Sequence, residues 1–154
     1  MSNNVKPIPE GYHTVTPYLV CNNASDAIEF YKNAFDASET MRMETPDGAI
    51  GHAEIMIGDS RIMLADEFPE MNALSPKTIG GTPISIMLYV EDVDAAFEKA
   101  VKAGATVVRP LEDKFYGDRA GSIEDPSGHS WHLASRKEEL SVEELEDRMK
   151  AEMG

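Results

Sequence analysis

The stretch of sequence that decides the fold is GSIEDPSGHSWHLAS, residues 121–135. Asp125-Pro126-Ser127-Gly128 at its centre has the composition of a tight turn, so two strands joined as a hairpin are predicted around it. The closing part, WHLAS at residues 131–135, has an echo in IMLAD at residues 62–66. The echo indicates that the same kind of strand closes both halves of the chain.

The elements before these two strands also repeat in order. YLV at residues 18–20 matches LYV at residues 88–90, and IEFYKNAFDAS at 28–38 matches AAFEKAVKAGA at 95–105. An internal repeat of this length predicts two copies of one supersecondary unit. The fold class is therefore α+β. We expect one domain, residues 1–136, built from two βαβββ modules at about 11–67 and 82–136, which form a curved mixed sheet with a cup-shaped cleft.

Each module has its own strand and helix signals. Ser25 is the expected N-cap of a helix over residues 26–35, and Asp92 and Gly104 are expected to begin and end the second helix. A polar linker spans residues 67–81, and a loop is predicted over 110–117. The predicted strands cover residues 12–20, 38–44, 49–57 and 61–66 in the first module and 84–90, 105–109, 119–124 and 129–134 in the second.

A C-terminal helix is predicted over residues 140–153. Ser141 and Glu144 have the spacing of a capping box, and Leu140 and Leu145 occupy the hydrophobic-staple positions. Val142, Leu145, Met149 and Met153 form an apolar stripe. The stripe could dock on a partner subunit or on its own chain, and the sequence leaves both open.

Composition excludes some partners. The 154 residues carry a formal net charge of −14, which disfavours nucleic acid and anionic membrane surfaces as partners. Cys21 is the single cysteine, so no intramolecular disulfide can form. The polar start of the chain and the lack of a long apolar run lead us to expect a cytoplasmic protein.

Four segments carry a resemblance to a known family: TPYLVCNNASDAIEFYKNAF, GHAEIMIGDSRIMLADEF, IMLYVEDVDAAFEKAVKAGA and YGDRAGSIEDPSGHSWHLAS. The chain resembles the vicinal oxygen chelate superfamily of glyoxalase I, bleomycin-resistance proteins and extradiol dioxygenases, and within it the PhnB-like branch. The resemblance implies a homodimer and a small-molecule site. Because the fold hosts several chemistries and also non-enzymatic binders, it does not by itself fix the function.

The resemblance also implies four inward-facing metal positions, on the first and last strands of each module. Here they are expected to hold Val15 or Thr16, Met63, Ser85 and His132. Only His132 is a credible ligand for a divalent ion, so we expect no cofactor. A metal-free protein that binds a small apolar or aromatic molecule in a cup between the modules is the favoured function.

A second arrangement keeps a divalent metal. His52 and Glu54 lie two residues apart on one predicted strand and therefore point the same way. Together with His132 they would make a His-Glu-His set, and the chain would then be a lyase, isomerase or dioxygenase. Otherwise His52 and Glu54 bond each other or solvent. His13 and His129 are expected at the surface.

Other polar and aromatic side chains complete the candidate site. Tyr116 and Arg119, grouped with Arg61 and Asp118, would lie near the cup mouth, and Tyr89 would face the cup beside Ser85 and Met87. Arg119 could bind an anionic ligand or form an internal ion pair. Cys21 has no basic neighbour in sequence that would activate it, so it is not expected to be a nucleophile.

Overall fold

A computed structural model describes residues 4–154 and contains the two predicted βαβββ modules. Residues 1–3 of the predicted domain lie outside the described part, and the domain bounds stay a prediction. The first module comprises β1 (Tyr18–Cys21), α1 (Ala24–Phe35), β2 (Ser38–Glu44), β3 (Ile50–Ile57) and β4 (Ser60–Asp66). The second comprises β5 (Ser85–Tyr89), α3 (Val93–Ala103), β6 (Thr106–Asp113), β7 (Asp118–Glu124) and β8 (Ser130–Arg136).

The two sheets have the same topology. Their strand orders are β1-β4-β3-β2 and β5-β8-β7-β6, and in each the first strand runs parallel to the last. The other neighbours are antiparallel. Two mixed four-stranded sheets with helices confirm the α+β class and the duplication predicted from the echo of IMLAD in WHLAS.

Capping residues set the helix bounds. Asn23, rather than the predicted Ser25, caps α1, because its side chain accepts a hydrogen bond from the backbone N–H of Asp26. Asp92 caps α3 as predicted, and Gly104 ends it at φ 118°, where a side chain would be strained. Both helices turn their apolar faces to the sheets and pack against each other.

The core joins the two modules. Trp131 of β8 is fully buried, and its ring lies 4.8 Å from that of Phe35 and 5.4 Å from that of Tyr31, both on α1. Asp125, buried in the turn before β8, accepts hydrogen bonds from the Tyr31 hydroxyl and, at 2.9 Å, from Trp131 Nε1. A helix of one module is thus bonded to the hairpin of the other.

Several predicted bounds differ from those of the structure. Residues 12–17 are not part of β1, which begins at Tyr18, after Pro17, a residue with no N–H to donate to a strand ladder. Strand β6 continues to Asp113, which shortens the predicted loop 110–117 to 114–117. The linker 67–81 contains a 3₁₀ turn, Pro69–Met71, and a short helix, α2 (Pro76–Ile79).

The C-terminal helix, α4, spans Val142–Met153 and has the predicted capping box of Ser141 and Glu144. It is tied to its own chain by Arg148, which donates to the Phe115 carbonyl at 3.1 Å and to both carboxylate oxygens of Glu138 at 3.0 Å. Val142, Met149 and Met153 of the predicted stripe remain exposed. No helix in residues 4–154 is long and apolar enough to cross a membrane.

Candidate functional site

The face of the second sheet that α3 leaves uncovered carries a row of side chains across four strands. Met87 pairs with His132, His132 with Ser122, and Ser122 with Arg109. The Ser122 hydroxyl lies 2.6 Å from His132 Nδ1. Among residues 4–154 no hydrogen-bond partner engages the other ring nitrogen, Nε2, which is therefore the one free to bind a ligand.

A cleft of about 700 Å³ lies over this row. Ala120, Gly121 and Ser122 of β7 make a floor of small residues. Gly121 is required there, because a Cβ atom would lie 2.6 Å from the Phe97 ring of α3. The cleft is also lined by Met87, His132, Arg109, Glu112, Asp113, Lys114, Phe115, Tyr116 and Glu152.

Aromatic and charged side chains form the rim of the cleft. Phe115 and Tyr116 stack edge to face, with ring centroids 5.2 Å apart. Lys114 is ion-paired with Glu112, whose pKa it lowers through their hydrogen bond. Neither Arg109 nor Glu152 is in an ion pair within the described residues, so both charges remain available to a ligand.

Arg119 does not lie on this face. Its guanidinium bonds both carboxylate oxygens of Asp94 on α3, at 2.9–3.2 Å, and one oxygen of Asp113 at 3.3 Å. These bonds raise the pKa of Arg119 and lower that of Asp94. Of the two roles predicted for Arg119, the structure shows the internal ion pair, and the guanidinium that reaches the cleft belongs to Arg109.

The predicted residues of β5 divide between two surroundings. Ser85 pairs with Ser130 and lines a separate cleft of about 510 Å³ between β1 and β5, which Met87 also borders. The Tyr89 hydroxyl donates to the buried Asp118 at 2.9 Å, and this hydrogen bond raises the pKa of Tyr89. Within one chain, Ser85, Met87 and Tyr89 therefore do not all line the same cleft.

The open face of the first sheet holds a chain of polar contacts. His52 Nε2 lies 2.8 Å from one carboxylate oxygen of Glu54, and the Tyr12 hydroxyl donates to the other. On the opposite side of the imidazole, His52 Nδ1 lies 2.9 Å from the Tyr18 hydroxyl. Burial raises the pKa of Tyr18. Met63 pairs with both Glu54 and Tyr18 in this sheet.

The metal positions implied by the resemblance do not fit a divalent ion. Val15 and Thr16 precede β1 instead of lying on it, Met63 and Ser85 offer no strong donor, and one imidazole, that of His132, does not hold a divalent ion by itself. No group of three or more His, Cys, Asp or Glu side chains in residues 4–154 is placed to hold a metal. The structure thus pairs His52 with Glu54, as one alternative had it, and places His132 on the other sheet.

The remaining predicted residues do not line the cleft over β7 and β8. His13 is exposed and bonds the Asp59 carbonyl, while His129, predicted at the surface, is partly buried and bonds the Val20 carbonyl at 2.9 Å. Arg61 donates to the Gly11 carbonyl and lies 5.0 Å from the Tyr12 ring centroid, away from Tyr116. Cys21 is fully buried, and burial raises the pKa of its thiol to about 12.

Among the residues of these faces that were missed in the sequence are Tyr12, Arg109, Ser122 and Glu152. Ser122 could have been found, because it alternates with Ile123 on a predicted strand and so shares a face with His132. Arg109 stood at the end of a strand predicted too short. Tyr12 and Glu152 reach the faces from the N-terminal segment and α4, whose positions no local pattern specifies.

One family model matches most of the chain. Residues 12–133 match the model of the Glyoxalase/Bleomycin resistance protein/Dioxygenase superfamily, and the chain belongs to that family. The match confirms the resemblance drawn from the four sequence segments. Helix α4 lies beyond the matched residues.

Individual relatives agree with this assignment. The chain is 42% identical to the uncharacterized protein Rv0887c of Mycobacterium tuberculosis, over 99% of this chain and 88% of that one. The crystal structure of TioX from Micromonospora is similar at a TM-score of 0.65 and 26% identity, covering 80% of this chain and 98% of TioX. The PhnB protein from Bacillus cereus shares the fold at a TM-score of 0.64 and 20% identity, over 80% of this chain and 99% of that one.

Proposed function

We propose that this chain is a binding protein of its family that holds a small, mostly apolar or aromatic molecule in the cleft over β7 and β8, with no metal at that cleft. The observation that carries the proposal is the lining of that cleft: a floor of small residues, an aromatic edge, the charged side chains Arg109 and Glu152, and one imidazole nitrogen without a hydrogen-bond partner in residues 4–154. A volume of about 700 Å³ is in the range of small-molecule sites.

The chemistry of the lining suits an aromatic ligand that also carries polar groups, because Arg109, Glu152 and His132 line the cleft together with the aromatic pair. Met87 and the Phe115–Tyr116 pair offer polarisable and aromatic surface. His132 Nε2 can bond a hydroxyl, carbonyl or amine of the ligand, while the bond from Nδ1 to Ser122 holds the ring in place. Since the family's metal positions lack ligands here, the proposal assigns no step to a metal.

The test is equilibrium binding of a neutral fluorescent probe, N-phenyl-1-naphthylamine, to the full chain. We expect saturable binding of one probe per chain. His132→Ala should weaken it by roughly tenfold, the effect of losing one hydrogen bond and a ring contact. Ala120→Leu should abolish it, because the added side chain fills the floor of the cleft.

His13→Ala is the matched control, since His13 is exposed and bonds only the Asp59 carbonyl. It should bind the probe as the unaltered chain does. Absence of saturable binding, or equal weakening by His13→Ala and His132→Ala, would contradict the proposal. Thermal unfolding of each variant shows whether it has kept its fold.

Two further properties belong to this proposal. We propose a homodimer, supported by the exposed apolar side chains Val142, Met149 and Met153 of α4. We propose the cytoplasm as its location, supported by a single cysteine that is buried as a free thiol.

The alternative of a divalent-metal enzyme using His52, Glu54 and His132 remains a prediction that no contact of His132 favours.

A further inference from the structure

The polar chain on the first sheet is not used by the proposed function. Tyr12, His52 and Glu54 present three kinds of donor atom within one set of contacts: a phenol oxygen, an imidazole nitrogen and two carboxylate oxygens. We propose that these three side chains form a binding site for ferric iron, separate from the cleft over β7 and β8.

The contacts bring the donor atoms to one place. Glu54 lies between the other two residues, with one carboxylate oxygen bonded to the Tyr12 hydroxyl and the other 2.8 Å from His52 Nε2. The side chains of His52 and Glu54 are 22% and 13% exposed, so the donors are partly shielded and still reachable from solution. A cation bound by the Glu54 carboxylate would replace the protons that this carboxylate shares with Tyr12 and His52.

The donor types favour a hard, highly charged ion. Carboxylate and phenolate oxygens suit a hard cation, and imidazole is also a ligand of iron. A phenol becomes a ligand by losing its proton, and a trivalent ion is the strongest local charge available to drive that loss. The Arg61 guanidinium, 5.0 Å from the Tyr12 ring centroid, also favours a phenolate there.

The charges and protons balance. Phenolate and carboxylate together supply two negative charges, which leaves one positive charge of ferric iron for an anion from solution within a chain of net charge −14. Binding releases the phenol proton of Tyr12. The ring proton of His52 lies on Nδ1 when Nε2 binds the ion, and it is then donated to the Tyr18 hydroxyl.

Tyr18 is therefore a positioning residue and not a ligand. It bonds the ring nitrogen opposite Glu54, at 2.9 Å, and so holds the imidazole in the orientation that keeps Nε2 beside the carboxylate. Its role and that of Tyr12 differ in a measurable way. Only a tyrosine bound to the ion gives a phenolate-to-iron charge-transfer band in visible light.

The experiment titrates chelator-treated full chain with ferric nitrilotriacetate and follows visible absorption. We expect one equivalent of iron and a charge-transfer band. Tyr12→Phe should abolish the band. Tyr18→Phe should keep the band and weaken binding by roughly tenfold, the usual effect of removing a supporting residue. Tyr116→Phe, on the other sheet, is the matched control and should change neither.

Three results would overturn the proposal: no band with the unaltered chain, an unchanged band in Tyr12→Phe, or displacement of the iron by an equal concentration of Zn²⁺. If Tyr12→Phe does not fold, resonance Raman spectra of the unaltered chain decide instead, because tyrosinate modes must be enhanced in the band. The outcome is independent of naphthylamine binding, which concerns the other face.

Discussion

A buried thiol shows how surroundings decide what one residue can do. Cys21 ends β1, fully buried, beside Ser127 and the carboxylates of Asp125 and Asp66. Loss of solvent and two nearby negative charges oppose the thiolate and raise its pKa from 9.0 to about 12. Because the thiolate is the reactive form, Cys21 is a packing residue, as the sequence had suggested for different reasons.

This pKa shift makes stability depend on pH in one direction. The folded chain keeps the Cys21 proton up to about pH 12, whereas the unfolded chain loses it near pH 9. The contribution to stability is therefore complete below pH 9 and is lost as pH rises from 9 toward 12. We expect Cys21→Ala to have a shallower decline in the free energy of unfolding over that range.

The measurement is urea unfolding at several pH values between 8 and about 11, for the unaltered chain and Cys21→Ala. The difference in the free energy of unfolding between the two chains should change with pH by at most about 1.4 kcal/mol per pH unit, which is the limit for one proton. Parallel pH profiles for the two chains would contradict the assignment.

At the scale of elements, α3 packs closely on β7 because position 121 of that strand is a glycine. A Cβ atom on Gly121 would meet the Phe97 ring at 2.6 Å and the Arg109 carbonyl oxygen at 3.1 Å. Two of these three residues belong to the strands beneath the cleft, and the third belongs to the helix behind them. The close approach of α3 therefore also fixes the floor of the proposed binding site.

Gly121→Ala should reduce the free energy of unfolding by about 1–3 kcal/mol, the usual cost of overpacking a well-filled interior. The control is Gly51→Ala in β3, where the added carbon would meet only the flexible Thr45 side chain at 3.3 Å and a carbonyl at 3.7 Å. Chemical denaturation compares the two. Equal losses for both variants would show that strand glycine content, and not contact with Phe97, sets the effect.

Local patterns predicted the elements better than the sites. Alternation placed Trp131 and Leu133 toward the helices and His132 opposite them, which the structure confirms, because strand geometry allows only two faces. Arg119 shows the limit. The sheet face on which Arg119 lies depends on the register of strand pairing, and a shift of one residue would move it to the other face. Its partners, Asp94 and Asp113, lie on two other elements.

For the whole molecule, two sheet faces remain uncovered by helices in a single chain. Exposed apolar side chains lie on or beside both of them, among them Tyr18, Met41, Met43, Met87 and Tyr89. Exposed apolar surface of this kind commonly marks a contact with another protein. It agrees with the proposed homodimer, in which a second copy would cover part of these faces.

Sedimentation velocity at micromolar concentration measures this directly. We expect a species of twice the chain mass of 16.9 kDa. Val142→Glu and Met153→Glu on α4 serve as a paired test of the exposed stripe, and both should shift the equilibrium toward the single chain if α4 is part of the contact. A 16.9 kDa species for the unaltered chain would rule out the homodimer.

The hydrogen bonds from Tyr31 and Trp131 to Asp125 make each module depend on the other, which limits how the duplicated chain can change in evolution. Each module has its own sheet and helix, so a gene could in principle lose one copy and keep a fold. Yet loss of the second module would remove Trp131, the ring on which Tyr31 and Phe35 pack. Loss of the first module would remove the Tyr31 hydroxyl that donates to the buried Asp125. The two halves have become parts of one interior, and neither can now be discarded.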